Sequence, residues 1–307
     1  MIVITRDHKI GTLSLLGGVA LFSTVEIASK MIGERVDPLT LNFIRFFVTG
    51  LLLTGMALPS LRNSEHPLTM RDYAVFLLNG LVGVTLALSL FHSAIVALDK
   101  AASAAVIFCI NPVFVMIVAR YINDEPWRTS RWVGTALGAC GVLCFAFESG
   151  AFAWNSLGGL FLMVLSAFFF ALSLCVSRRV VPRYGATALM GFSSLAGSLI
   201  LLPLVLLQTH SQGIGGLVDA FWPVSYVTLF GTCMAYLFYY YGLSKTSAQR
   251  GAVIFFLKPV LASVLALIIL GESINIYMLA GMVLILSAMA LELPRQTQKP
   301  SSGAVSR

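Results

Sequence analysis

Charged side chains are scarce in this sequence. Asp, Glu, Lys and Arg make up 11% of its 307 residues, whereas Ala, Val, Ile, Leu, Met, Phe, Trp, Tyr and Cys make up 58%. A soluble domain has about 25% charged residues, because its surface must be hydrated. The composition therefore excludes a soluble enzyme, a nucleic-acid-binding protein and a disordered chain, and it predicts an all-α polytopic membrane protein.

Motifs for metal binding and ATP hydrolysis are also lacking. The cysteines lie inside apolar stretches without paired metal-site spacing, and we interpret them as packing residues: Cys109, Cys140, Cys144, Cys175 and Cys233. No phosphate-binding loop of the GxxxxGK[ST] type occurs, and the four histidines lie in different segments. We therefore expect no cofactor and no metal site.

Long apolar stretches bounded by charges, Pro and Gly occur ten times. A bilayer core about 30 Å thick needs about 20 helical residues, and stretches such as LASVLALIIL do not alternate in polarity as barrel strands do. The predicted transmembrane helices cover residues 11–33, 37–59, 73–98, 101–122, 131–148, 157–178, 186–207, 221–243, 248–270 and 275–293.

The distribution of Lys and Arg predicts the orientation of these helices. With a cytoplasmic N-terminus, fifteen of the twenty cations fall in inner segments, two in outer segments and three within spans. This bias predicts a multi-pass protein of the cytoplasmic membrane with both termini cytoplasmic. It also explains the net charge of +7, so no nucleic-acid partner is expected. The polar tail at 294–307 is predicted to be disordered.

The two halves of the sequence resemble each other. Residues 104–113, AAVIFCINPV, align without gaps to residues 251–260, GAVIFFLKPV, with six of ten identical. The same offset of 147 pairs Glu125 with Glu272, and an offset of 148 pairs Ser29 with Ser177. Each unit has five predicted spans, so the second copy must enter the membrane from the opposite side. Such inverted repeats enclose a cavity near the midplane and support alternating access.

Several motifs of these units resemble EamA-type members of the drug/metabolite transporter superfamily. They are the Pro of helices 4 and 9, the Glu shortly after each (YINDEPW, ILGESIN), the Gly opening helices 5 and 10 (WVGTALGACGV, LAGMVLILSA) and the Arg-Phe of LNFIRFFVTGLLL. The resemblance covers two five-helix repeats, 12–147 and 157–292. It implies ten helices around a cavity lined mainly by helices 1–4 and 6–9, and a transporter of small metabolites that is not an enzyme.

Four charged residues are predicted at bilayer depth, where a charge usually faces a cavity or a partner: Glu26, Lys30, Arg45 and Lys258. Glu26 and Lys30 share a helix face, and Arg45 lies at a similar depth, so Glu26 and Arg45 can pair. Burial disfavours the charged form of Glu26 while the cations favour it, which suits a proton-coupling group. Arg45 either binds substrate or only ties helices 1 and 2 together.

Lys258 precedes Pro259 near the middle of helix 9, and its repeat counterpart Asn111 precedes Pro112 in helix 4. A Pro frees a helical carbonyl, so both helices are expected to kink and to offer polar groups to the cavity. We predict that Lys258 binds an anionic group of the substrate. The remaining candidate substrate-binding residues are Asn111, Ser89, His92, Tyr236 and Tyr239. Packing within the bundle is the alternative role for each of them.

The intramembrane charges, one negative and three positive, favour an anionic or zwitterionic cargo. The sequence therefore predicts a proton-coupled secondary transporter of organic anions or amino-acid-like metabolites. Efflux of cationic or aromatic drugs through Glu26 is the alternative within transport, and a membrane sensor or lipid-modifying enzyme is the alternative outside it. The expected partners are a small-molecule substrate and the lipid bilayer. Small residues on helix 5 (Gly134, Gly138 and Gly141) suit packing within the fold or dimerisation, so a monomer or a homodimer is expected.

Overall fold

The structure is a computed structural model, and it describes residues 6–62, 68–97, 107–108, 110–126, 129–149, 157–208, 215–270 and 276–292. Regular structure within these ranges is entirely helical. Helices long and apolar enough to cross a membrane are Lys9–Ser29, Pro38–Arg62, Met70–Ala94, Leu157–Leu207, Phe221–Lys245 and Ala248–Ile269. The predicted all-α membrane class is confirmed. The tail at 294–307 lies outside the described residues.

The described helices are numbered along the chain. In chain order they are α1 (Arg6–Ser23), α2 (Val25–Ile32), α3 (Pro38–Arg62), α4 (Met70–Gly80), α5 (Ser89–Ala97), α6 (Asn111–Ile122), α7 (Thr129–Ser149), α8 (Leu157–Gln208), α9 (Gly215–Asp219), α10 (Phe221–Thr228), α11 (Ala235–Lys245), α12 (Ala248–Phe255), α13 (Leu257–Leu270) and α14 (Ile276–Glu292). Two π-helical segments join them: π1 (Leu81–Leu88) between α4 and α5, and π2 (Leu229–Met234) between α10 and α11.

Local polar groups fix several helix starts. Thr69 and Asp72 form a capping box at α4, in which the Thr69 N–H donates to Asp72 Oδ2 at 2.7 Å. Asp37 accepts the Leu39 N–H at 2.9 Å beside Pro38, the first residue of α3. Ser247 Oγ accepts the Arg250 N–H at 3.1 Å at the start of α12. These bonds satisfy amide groups that the helix itself leaves without acceptors.

The long helix α8 changes direction at Gly185. This glycine has φ 82° and ψ 158°, a conformation that side chains with a Cβ rarely adopt. It divides α8 into a first limb, residues 157–184, and a second limb, residues 186–208. At 1.5 Å per residue, the 51 residues of Leu157–Leu207 exceed the length of one membrane crossing more than twofold.

The π-helical segments occur at matching positions of the two halves. Leu81 opens π1 and Leu229 opens π2, at an offset of 148, and the third residue of each segment is a glycine. A π-turn widens the helix and shifts the direction of the side chains that follow. In π2, Thr232 Oγ1 donates to the Val227 carbonyl at 2.8 Å, five residues back.

Long-range packing pairs specific helices. Helix α8 packs on α3, α4, π1 and α5. Gly191 of its second limb lies against Thr54 of α3, and π1 contacts both limbs, through Ala87 to Ser166 and through Thr85 to Gly197. Helix α1 packs on α11, α6 on α12, and α7 on α14. In the α7–α14 pair, a Cβ on Gly141 would lie 2.8 Å from the Gly281 carbonyl, so the small-residue face of α7 is used within the chain.

Candidate functional site

Lys258 is buried inside a cage of aromatic rings. Its side chain keeps 7% of its accessible surface. The ammonium nitrogen lies 5.8 Å from the ring centre of Phe91, 6.0 Å from that of Phe108 and 5.6 Å from that of Phe255. Ring faces at these distances attract a cation through their quadrupoles, and the attraction grows when water is excluded. The cage therefore holds a positive charge within the bundle.

The break before Pro259 places Lys258 in this cage. Helix α12 ends at Phe255 and α13 begins at Leu257, so Lys258 lies in the first turn after the break. Pro259 lacks the N–H that would bond the Phe255 carbonyl, and Pro112 has the same relation to Phe108. The expected interruption of both helices is therefore observed, with α6 beginning at Asn111.

Arg45 of α3 is buried next to the cage, with 5% of its surface exposed. Its Nε donates to Thr232 Oγ1 of π2 at 2.9 Å, and its Nη1 lies 3.4 Å from His92 Nε2 of α5. A guanidinium can only donate, so His92 must accept here as a neutral imidazole with its proton on Nδ1. The ring centres of His92 and Phe91 are 5.5 Å apart. Arg45 and Lys258 therefore contact consecutive residues of one helical turn.

The other predicted residues differ in their surroundings. Asn111 is buried and donates through Nδ2 to the Ala167 carbonyl at 2.8 Å, which ties α6 to the first limb of α8. The hydroxyls of Ser89 and Tyr239 are buried and have no hydrogen-bond partner among the described residues. Tyr236 lines a crevice described below. Glu26 and Lys30 lie on α2 as expected, but their side chains are outside the part of the chain that the structure describes.

The structure also brings together residues that the sequence analysis did not select. They are Asn79 of α4 and Ser173 and Ser193 of α8, which line one crevice together with Tyr236 and its predicted neighbour in the tyrosine cluster, Tyr240. Their only signal in the sequence is that Asn79 and Ser173 each stand alone in an apolar stretch and that Ser193 lies in a short Ser-Ser pair within one. Serine and tyrosine are common in membrane helices, so this signal does not separate a site from ordinary packing.

Polar contacts close the end of the bundle at which α1 begins. Glu125 accepts the N–H groups of Ala248 at 2.9 Å and Gln249 at 3.4 Å, and so caps α12. Nearby, Arg178 Nε donates to the Thr246 carbonyl at 3.0 Å. Glu125 is therefore a capping residue of α12. Its counterpart Glu272 lies outside the described residues.

Glu125→Ala is expected to lower the melting temperature by about 3–5 °C, because a carboxylate at a helix N-terminus contributes about 1–2 kcal/mol. The measurement is the thermal unfolding of the purified protein in detergent. Asp7→Ala is the matched control: Asp7 pairs with Lys245 at 4.0 Å but is 73% exposed, so its loss should change little. Equal melting temperatures for wild type and Glu125→Ala would contradict the capping role.

A comparison with known protein families matches each half of the chain separately. The model of the EamA-like transporter family matches residues 9–147 and 157–292. An uncharacterized transporter of Clostridium kluyveri is 28% identical over 284 residues, which cover 91% of each chain. The uncharacterized inner membrane transporter YicL of Salmonella typhimurium is 26% identical over 287 residues, which cover 92% of this chain and 94% of the relative.

A solved protein crystal structure superposes on the chain with a TM-score of 0.76, covering 92% of this chain and 96% of the other at 19% identity. At that identity the likeness shows a shared fold. The family match spans nearly the whole chain in two consecutive copies. This multi-pass membrane protein therefore belongs to the EamA-like transporter family.

Proposed function

We propose that the protein is a secondary transporter of small organic anions or amino-acid-like metabolites in the cytoplasmic (inner) membrane. The observation that carries this proposal is the burial of Arg45 and Lys258 against one turn of α5. A charge at bilayer depth costs at least about 2.5–3.5 kcal/mol. Two buried cations that lie against neighbouring residues of one helix suit a site that binds an anionic group of the cargo.

Alternating access between two inverted five-helix halves is the mechanism we propose. Phe108 and Phe255 are counterparts at an offset of 147, and their ring centres are 6.1 Å apart. A residue that contacts its own counterpart lies on a two-fold axis. The helix pairs support the same axis, because α1 packs on α11 just as the first limb of α8 contacts π1. Exchanging the shapes of the halves would open the site to the other side of the membrane.

The distribution of Lys and Arg along the chain predicts which end of the bundle faces the cytoplasm. We propose that both termini are cytoplasmic, which places the Glu125 cap and the Arg178 contact on the cytoplasmic side. The Glu125 contacts join helices of different halves, whereas the Arg178 contact lies within the second half. The described arrangement then corresponds to a carrier whose cytoplasmic side is closed.

A thermal-shift screen tests the cargo class. Purified protein is mixed with organic acids, amino acids, sugar phosphates and cationic dyes, and its melting temperature is measured. We expect stabilisation by anions that disappears in Lys258→Ala, because a ligand that binds only the folded state raises the melting temperature. Efflux of cationic or aromatic drugs is the second candidate, favoured by the aromatic cage itself. Stabilisation by dyes alone would replace the first proposal with the second.

Glu26→Gln is expected to abolish accumulation driven by a pH gradient while leaving cargo exchange intact, because the variant keeps the shape of the side chain but cannot bind and release a proton. The measurement is uptake into proteoliposomes with and without an imposed pH gradient. Glu34→Gln, in the turn after α2, is the matched control. Unchanged pH-driven uptake in Glu26→Gln would remove Glu26 from the coupling mechanism.

A further inference from the structure

A crevice lined by both apolar and polar side chains lies where α3, α4, π1, both limbs of α8 and α11 meet. Its polar lining residues are Asn79, Ser173, Ser193, Tyr236 and Tyr240. Its empty space, counted out to its mouth, is about 280 Å³, although its enclosed part has room for only about one water molecule. A larger molecule can therefore enter only if the hydrogen bonds around the crevice loosen.

The hydrogen bonds of Asn79 are long enough to be exchanged for those of a ligand. Ser173 Oγ donates to Asn79 Oδ1 at 2.9 Å. The Asn79 Nδ2 donates to Ser177 Oγ and Ser193 Oγ, each at 3.3 Å. Amide hydrogen bonds usually measure about 2.9–3.0 Å, so these two donors are held weakly. A hydroxyl of a bound molecule would replace them at little cost.

Close packing keeps these polar groups together. A Cβ on Gly83 of π1 would lie 2.3 Å from Ser173 Oγ, so only glycine lets π1 approach this serine. Asn79, Ser173 and Ser193 each expose 4% of their surface or less. The polar lining is thus preformed and shielded from lipid.

The crevice adjoins the cationic site through two aromatic residues. Phe46 and Tyr236 both line the crevice, and their ring centres are 5.8 Å apart. The guanidinium carbon of Arg45 lies 5.7 Å from the ring centre of the same Phe46. One molecule could therefore place an anionic end at the cations and another part in the crevice.

The internal repeat relates positions of the crevice to positions of the cationic site. At the offset of 148, Ser193 is the counterpart of Arg45, and Tyr240 is the counterpart of His92. The first half thus carries Arg45 and His92, and the second half carries neutral hydroxyl groups at these two matching positions. The lining residues of the crevice, within the part of the chain that the structure describes, include no Asp, Glu, Lys or Arg. Charge in the crevice would find no countercharge there, so the group that it accepts must be neutral.

We infer that this crevice binds the hydroxyl groups of the cargo, and that the cargo class is therefore hydroxylated carboxylates. The inference rests on the proposed function, since the cations must hold the carboxylate. Asn79 and Ser193 are then residues that determine specificity, because they distinguish a hydroxylated chain from an apolar chain of the same length. A buried site built to hydrogen-bond a hydroxyl rejects an analogue that lacks it.

Three carboxylates with six carbons test the inference: hexanoate, gluconate and 6-aminohexanoate. They share the anionic end and differ in a tail that is apolar, hydroxylated or cationic. Binding to the full-length protein in nanodiscs is measured by calorimetry. We expect gluconate to bind at least about 10-fold more tightly than either of the others, as hydrogen bonds of about 0.5–1.5 kcal/mol each would give.

Two variants test whether the crevice causes the tighter binding of gluconate. Asn79→Leu, close in volume, is expected to raise the Kd of gluconate to that of hexanoate while leaving hexanoate unchanged. Ser193→Ala, the milder change, is expected to raise the gluconate Kd about threefold. Ser287→Ala is the matched control, because its exposed hydroxyl on α14 donates only to the Val283 carbonyl.

The outcomes separate this inference from the proposed function. Equal binding of all three acids, lost in Lys258→Ala, would overturn the hydroxyl site and retain the anion carrier. Tightest binding of 6-aminohexanoate would also overturn the hydroxyl site. Binding of none of the acids would overturn both, whereas a gluconate preference that survives both Asn79→Leu and Ser193→Ala would overturn the assignment to this crevice.

Discussion

Replacing Lys258 with methionine is expected to lower the uptake of organic anions by about 10- to 100-fold, because a hydrogen-bonded charge contributes about 1.5–3 kcal/mol to binding. Methionine keeps an unbranched stem against Phe91, Phe108 and Phe255, and its sulfur packs favourably on aromatic rings. The variant should therefore remain folded. The measurement is uptake of radiolabelled anion into proteoliposomes, with the melting temperature of the same preparation recorded.

Lys245→Met is the matched control for this experiment. Lys245 lies at the end of α11, and its ammonium is 4.0 Å from the exposed carboxylate of Asp7. Exposed ion pairs contribute about 0–1 kcal/mol, so this variant should transport at the wild-type rate. Wild-type uptake by Lys258→Met would refute the role of Lys258 in anion binding.

Gly80→Leu is expected to lower the melting temperature by about 10 °C or to prevent folding, because overpacking against fixed backbone costs about 3 kcal/mol or more. A Cβ at Gly80 would lie 2.3 Å from the Ser193 carbonyl oxygen and 2.8 Å from the Gly197 nitrogen. Both atoms belong to the backbone of α8, which cannot move as a side-chain rotamer can. The measurement is thermal unfolding, with expression in the membrane fraction as a second readout.

Gly55→Leu provides the same change at an open position. Gly55 lies on α3, and a Cβ there would meet nothing within 4 Å. Since leucine also forms helix better than glycine, this variant should keep or slightly raise the melting temperature. If Gly80→Leu and Gly55→Leu had the same melting temperature, α4 and the second limb of α8 would not approach each other as closely as described.

The class of fold could be predicted from composition because the bilayer imposes strong rules. Only segments of sufficient length and apolarity can cross it, and helices satisfy their own backbone groups. The burial of Lys258 and the helix breaks before Pro112 and Pro259 follow from the same rules. The division into ten spans and their inversion remain predictions, because part of the chain lies outside the described residues.

The crevice and the π-helical segments could not be predicted in the same way. Their formation depends on where separate helices meet. The number of residues between Asn79 and Ser193 in the sequence does not tell how far apart the two side chains lie in the folded protein. The sequence pattern LVGVTLAL gives no sign that an extra residue enters each turn of π1. Tertiary contacts such as the approach of Gly83 to Ser173 select that geometry. The Arg45–Thr232 bond was missed for the same reason.

The contact between Phe108 and Phe255 has a mechanical consequence. If the halves of the bundle exchange conformations as proposed, two rings on the proposed two-fold axis keep the same neighbours throughout the motion and act as its pivot. Each ring also lies one turn before a proline. The helix segment after the proline can therefore tilt without moving the segment before it. The size of these two rings would then set the rate at which the protein exchanges between its two conformations, whatever the cargo.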